Sequence, residues 1–144
     1  MAYDVKLNLP QGWLITSETY IDESGAEVTH ISSNLPGKDA DEGMMDIYVG
    51  EMPSDTTAED QAFSNYADIV GFDESDPEDF NPISKIKFNN RNAYSFEALC
   101  EDDSPMRFIS LEMKSGVLAI LCVAAISDQK LDEFVALAER GLRV

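Results

Sequence analysis

Several residue types are scarce in this chain of 144 residues, and each scarcity removes a class of function. Histidine occurs once, at His30, so a catalytic triad or an imidazole metal site lacks its partners. Neither the G-x-S-x-G nucleophile turn nor the H-E-x-x-H zinc helix is present. His30 therefore reads as a structural or surface residue. Glycine-rich phosphate cradles are missing too, which argues against a nucleotide enzyme. The two cysteines, Cys100 and Cys122, show no C-x-x-C spacing. Both fall inside predicted strands, where a thiol behaves as a small hydrophobe, and a disulfide between neighbouring strands stays open. No cofactor is expected.

Long apolar runs are equally rare. Val117 to Ile126 is uninterrupted apolar, but crossing a bilayer takes about 20 such residues. The opening Met1 to Pro10 alternates and reaches a turn without the apolar core of a signal peptide. A soluble, cytoplasmic protein without membrane contact is expected.

Positive charge is the scarcest property of all: ten Lys and Arg stand against 28 Asp and Glu, a net charge of −18. Up to Ser84 there are 19 acidic residues against Lys6 and Lys38, whereas from Lys85 onward 9 acidic stand against 8 basic. Such a surface repels phosphate backbones and anionic lipid, so nucleic-acid and membrane binding are disfavoured. A basic protein partner, or solubility alone, is favoured. Acid pairs are too abundant for any one to mark a glycosidase dyad, which needs two carboxyls held about 5 to 9 Å apart in a sugar-sized cleft. Asp39 to Gly43 and Asp73 to Asp79 concentrate the hard oxygen ligands that calcium prefers. Neither follows the spacing of a calcium-binding loop, and solvated acid is the expectation.

What is present is a pattern of short strands. Val5 to Leu9 alternates, with Val5, Leu7 and Leu9 inward, and ends at Pro10; after the Gln11-Gly12 turn, Trp13 reads as a core plug. Thr19 to Ile21 and Ala26 to Ile31 flank a hairpin turn at Asp22 to Gly25. Ser32 to Gly43 reads as a loop, and Met44 to Glu51 as a strand with Met45, Ile47 and Val49 on one face. A first helix is expected after Pro53. Thr56 and Glu59 form its capping box, Phe63, Tyr66, Ala67 and Val70 its inner stripe, and Gly71 its stop. Phe72 to Pro82 is an acidic connection.

From Ile83 onward the turns at Asn89-Asn90, Glu101 to Pro105 and Ser115-Gly116 join four strands into an antiparallel meander. Its last strand is the apolar run from Val117, long enough to be buried on both faces. Ser127 caps a closing helix with a stripe of Leu131, Phe134, Val135, Ala138 and Leu142, and Gly141 and Arg143 mark its end. The chain as a whole, residues 1 to 144, reads as one α+β domain, an antiparallel sheet of about six or seven strands flanked by two helices.

That element order, with the Leu9-Pro-Gln-Gly-Trp13 turn near the start, resembles the Mog1/PsbP-like superfamily. Further points of likeness are Asp46-Ile-Tyr-Val49 entering the first helix, Asn90-Arg-Asn-Ala93 at the first turn of the meander, and the apolar strand ahead of the last helix. The likeness spans nearly the whole chain. Members of the superfamily look like binding adaptors more than enzymes: one branch engages a small nuclear GTPase, another is an extrinsic subunit of a photosynthetic complex, and bacterial branches act as chaperones for secreted effectors. The resemblance implies a sheet whose open face or edge receives a protein partner. It transfers no set of functional residues, because the matching positions lie in turns and core.

The expectation is thus a non-enzymatic, protein-binding adaptor or chaperone with an anionic surface for a basic partner. The candidate contacts are Asp73, Glu74, Asp76, Glu78 and Asp79 of the acidic connection, supported by Asp39, Asp41 and Glu42. An immunity-type inhibitor of a basic toxin or nuclease, and a small hydrolase or lyase using paired carboxylates, are the alternatives. A homodimer would arise if edge strands near Val5 or Ile83 paired between copies, although Lys85 and Lys87 read as edge protection.

Overall fold

The computed structural model describes residues 6–23, 25–38, 41–51, 57–66, 83–99, 104–114 and 116–143. Among these residues the elements run β1 (Lys6–Leu7), β2 (Leu14–Ile21), β3 (Glu27–Leu35), β4 (Gly43–Glu51), α1 (Ala58–Tyr66), β5 (Ser84–Phe88), β6 (Arg91–Leu99), β7 (Pro105–Lys114), β8 (Val117–Ala125), α2 (Asp128–Gly141) and β9 (Leu142–Arg143). Seven strands form one antiparallel sheet in the order β2-β3-β4-β8-β7-β6-β5, and β1 pairs separately with β9. The sheet is two meanders joined where β4 and β8 pair from Gly43↔Ala125 to Glu51↔Val117. The apolar run of the sequence is therefore the strand at the sheet's centre.

Strand alternation divides the apolar residues between two faces. On one face Ile47, Leu121 and Ile109 lie on a single cross-strand row and are fully buried. Burying one such side chain contributes roughly 1.5–3 kcal/mol. Helix α2 covers this face with Leu131, Phe134 and Ala138. Its N-terminus is closed by Ser127, whose side chain accepts from the Lys130 amide at 3.2 Å. Trp13 plugs the end of this layer, its ring edge-on to Phe134 at 5.0 Å. From the sheet side, Arg107 donates to Glu97 at 2.8 Å and to Asp132 of α2 at 2.9 Å. Partial burial opposes the charge on Arg107, but those two hydrogen bonds outweigh it and hold the guanidinium more firmly protonated than usual.

The opposite face is covered differently. Phe96 and Phe108 stack at 5.1 Å beneath α1, which presents the small residues Ala58 and Ala62. Ser110 donates to the Ala58 carbonyl at 2.8 Å, a hydrogen bond that satisfies both a buried hydroxyl and the start of the helix. Among the described elements, α1 lies over β6 and β7 only. The half of this face formed by β4, β3 and β2 receives no described helix.

Several expectations are corrected. The capping box of α1 is one residue later than the pattern suggested: the Asp60 amide donates to Thr57 Oγ1 at 3.1 Å and the Thr57 amide to the Asp60 carboxylate at 3.2 Å. An Asp side chain closes the box as well as Glu does, so sequence alone left the register ambiguous. Ser32 to Leu35 are strand, not loop, because β3 pairs with β4 down to Leu35↔Gly43. The opening strand β1 pairs with β9 at the other end of the chain. Gly141 is the last residue of α2, as expected, and the chain passes there into β9, so Leu142 is strand and not helix. A Cβ at Gly141 would collide with the Asn8 backbone, whose amide donates to the Gly141 carbonyl at 3.0 Å. Ala67, Val70, Gly71 and the connection from Phe72 to Pro82 lie outside the described residues, as do Val5 and Cys100. The Asn89-Asn90 turn has the positive φ angles, 54° and 64°, that a tight hairpin requires.

Candidate binding surface

The half of the sheet without a described helix brings together side chains that are far apart in the sequence. Register places Glu18 of β2 opposite His30 of β3, and His30 opposite Tyr48 of β4, with Asp46 one step along the same face. Because His30 and Tyr48 are directly opposed, their rings stack at 4.3 Å with only 4° between planes. The imidazole Nε2 meets Asp46 Oδ1 at 3.0 Å, a hydrogen bond. Its Nδ1 lies 3.6 Å from Glu18 Oε1, an ion-pair distance once the ring is protonated. Burial, reinforced by the Asp46 carboxylate, pushes the Tyr48 phenol above its ordinary range, so its hydroxyl keeps its proton.

This arrangement fixes the orientation of the imidazole. One ring nitrogen is committed to Asp46. The thiol of Cys122, which sits opposite Asp46 on β8, is two strand spacings from His30, roughly 10 Å. A nucleophile and its base must approach to about 3 Å. The Cys122 thiol is directed instead to the Met106 sulfur at 3.2 Å. Among the described residues no group of three or more His, Cys, Asp or Glu is placed to hold a metal ion.

Three clefts among the described residues contain carboxylates. One of about 500 Å³ contains Glu97, which Arg107 already holds, and one of about 460 Å³ contains Glu112. A third brings Glu97 and Asp128 to one rim, but at about 170 Å³ it is smaller than the few hundred Å³ a ligand pocket occupies.

What the open half offers is charge and rings. Glu18 has a side chain 72% exposed, and the exposed Tyr20 lies beyond it on the same face, so a guanidinium or ammonium group would meet a carboxylate and an aromatic face together. Residues 14 to 51, which build β2, β3 and β4, carry nine Asp and Glu against Lys38 alone.

The sequence-derived candidates fare unevenly. Asp41 is exposed between β3 and β4 and accepts from Asn34 Nδ2 at 3.3 Å. Glu42 is half-buried, its amide bonded to the Leu35 carbonyl at 2.7 Å and its carbonyl accepting from Ile126, so its backbone closes the turn. Asp39, Asp73, Glu74, Asp76, Glu78 and Asp79 lie outside the described residues. Sequence reasoning overlooked the Glu18, His30, Asp46 and Tyr48 group. The available signal was confined to β4, where Asp46 and Tyr48 alternate with the apolar Met45, Ile47 and Val49. Among the described residues no helix is long and apolar enough to cross a membrane. Comparison with family models, with characterised proteins and with solved structures found no match.

Proposed function

We propose that this chain is a cytoplasmic, non-enzymatic protein-binding domain of the Mog1/PsbP-like type, an adaptor or chaperone that presents the acidic half of its sheet to a basic protein partner. One observation carries the reading: residues 14 to 51, which build β2, β3 and β4, carry nine Asp and Glu against Lys38 alone, whereas the stretch from Lys85 onward is nearly neutral. Eight of those nine carboxylates, all but Asp39, lie among the described residues of β2, β3, β4 and their turns, while the stretch from Lys85 builds β6, β7, β8, most of β5 and α2. An acidic field concentrated on these strands steers an oppositely charged partner onto them. The antiparallel sheet between two helices supports the superfamily assignment.

The test is capture and release. Immobilised protein incubated with an extract of its source is expected to retain a protein richer in Lys and Arg than in Asp and Glu. It should release that protein as salt rises from about 0.1 to 1 M and the screening length falls from about 10 to 3 Å. Retention that ignores salt, or retention of an acidic protein, overturns the reading.

A further inference from the structure

The two ends of the sheet are built on different plans. β5 is 5 residues long and carries Lys85 and Lys87, and Lys87 also donates to Asn92 Oδ1 at 2.7 Å. Shortness and lysine are the usual devices that keep an edge from recruiting a further strand. β2 has neither. It is 8 residues long, reads Leu-Ile-Thr-Ser-Glu-Thr-Tyr-Ile without Lys, Arg or Pro, and pairs with β3 along its full length without a bulge. All eight residues are exposed, including Leu14 at 58% and Ile21 at 64%. Among the described residues no strand pairs with its outer side. Alternate residues of an antiparallel edge turn their N–H and C=O outward, which leaves about four residues' worth of ladder open to water.

We propose that β2 is a docking edge that takes an extended, basic segment of the partner protein as an eighth strand. The proposal rests on the reading of this chain as a binder of a basic protein, and adds where and in what conformation the partner binds. Alternation defines what fits. Thr16, Glu18 and Tyr20 share the face of Asp46, so the incoming residues beside them are Lys or Arg, meeting a carboxylate and a phenol ring. Ile15 and Ile21 lie on the opposite face and favour β-branched apolar neighbours. A second copy of this chain is the poorer occupant, because it would bring another acidic half against the first.

The probe is a fluorescein-labelled peptide of alternating Arg and Val, matched to the 8 residues of β2, read by anisotropy. Two counterparts carry N-methyl groups on alternate residues, one blocked along each strand edge. The parent peptide is expected to bind, and one counterpart to bind about tenfold more weakly or worse, since charge is unchanged and only the ladder is lost. Glu18→Lys should weaken the parent about tenfold, and Lys85→Glu on the far edge should leave it within about twofold. Thermal unfolding of Glu18→Lys checks that the fold is intact.

Equal binding of all three peptides overturns the docking edge while leaving the electrostatic reading of the partner standing. Absence of binding by all three overturns it as well, and salt-insensitive capture in the preceding experiment overturns the underlying reading. Sedimentation showing a dimer that Glu18→Lys or Ile21→Ser dissociates assigns β2 to a second copy and likewise overturns the proposal.

Discussion

Strand β8 sits at the middle of the sheet with α2 on one face and a second apolar cluster on the other, whereas β2 sits at the rim with none of its residues buried. Both belong to one antiparallel sheet and differ in length by a single residue. Their chemistry follows position: β8 is apolar on both faces, while β2 mixes Thr, Ser and Glu with Leu, Ile and Tyr. Stability is therefore concentrated where β4, β8 and β7 meet, and the rim can change its contacts without the core noticing. A binding edge is tolerable only in a sheet held together elsewhere.

The largest effect expected is in the centre. Leu121 is fully buried on the row that also holds Ile47 and Ile109, so Leu121→Ala removes packed atoms that α2 and the neighbouring strands cannot replace. A loss of about 3 kcal/mol follows from transfer and cavity terms together, measurable by urea unfolding followed through the single Trp13. A loss under about 1 kcal/mol would mean that the centre is no stiffer than the rim.

Next comes the contact that ties the chain's two ends to α2. Gly141→Ala pushes a methyl group into the Asn8 backbone, and the β1–β9 pair must shift to accept it. Overpacking of this kind costs about 2 kcal/mol. The same unfolding curve, with Trp13 reporting from the adjacent Phe134 contact, distinguishes this from a tolerated surface change.

On the open half the link between His30 and Asp46 is expected to be worth about 1 kcal/mol, as a hydrogen bond at 3.0 Å in a half-buried setting. A double-mutant cycle with His30→Ala and Asp46→Ala isolates it. Coupling near zero would show that the imidazole is held by stacking on Tyr48 alone.

The parts of this structure legible in the sequence are those set by local pattern. The apolar run from Val117, the Asn89-Asn90 turn, the Ser127 cap and the alternation of Met45, Ile47 and Val49 each depend on neighbours within a few residues. Three features were not legible, and all three depend on pairing between distant segments. The continuation of β3 through Ser32 and Ser33 looks polar and loop-like until β4 supplies the ladder. The glycine at 141 marks the helix end locally, but its close approach to Asn8 shows only in the fold. The grouping of Glu18, His30, Asp46 and Tyr48 needs the registers of two strand pairs: one residue of slip between β3 and β4 would part Glu18 and His30 from Asp46 and Tyr48, and one between β2 and β3 would remove Glu18. The edge followed the same rule: Lys85 and Lys87 mark β5 as a guarded rim, but only the strand order reveals that the opposite rim is β2.

The smallest stability effect falls on that rim, and it makes the contrast with β8 most exacting. Ile21 is the most exposed hydrophobic of β2, at the end of the strand and opposite Glu27. Ile21→Ser removes apolar surface that already faces water, so unfolding free energy should stay within about 0.5 kcal/mol of the parent protein. If the residue serves a docked strand, the same substitution that leaves the urea midpoint unmoved should weaken the alternating Arg and Val peptide by about fivefold, because a cross-strand apolar neighbour is worth up to roughly 1 kcal/mol. A midpoint shift as large as that of Leu121→Ala would instead place Ile21 in a packed environment and remove the distinction between rim and centre.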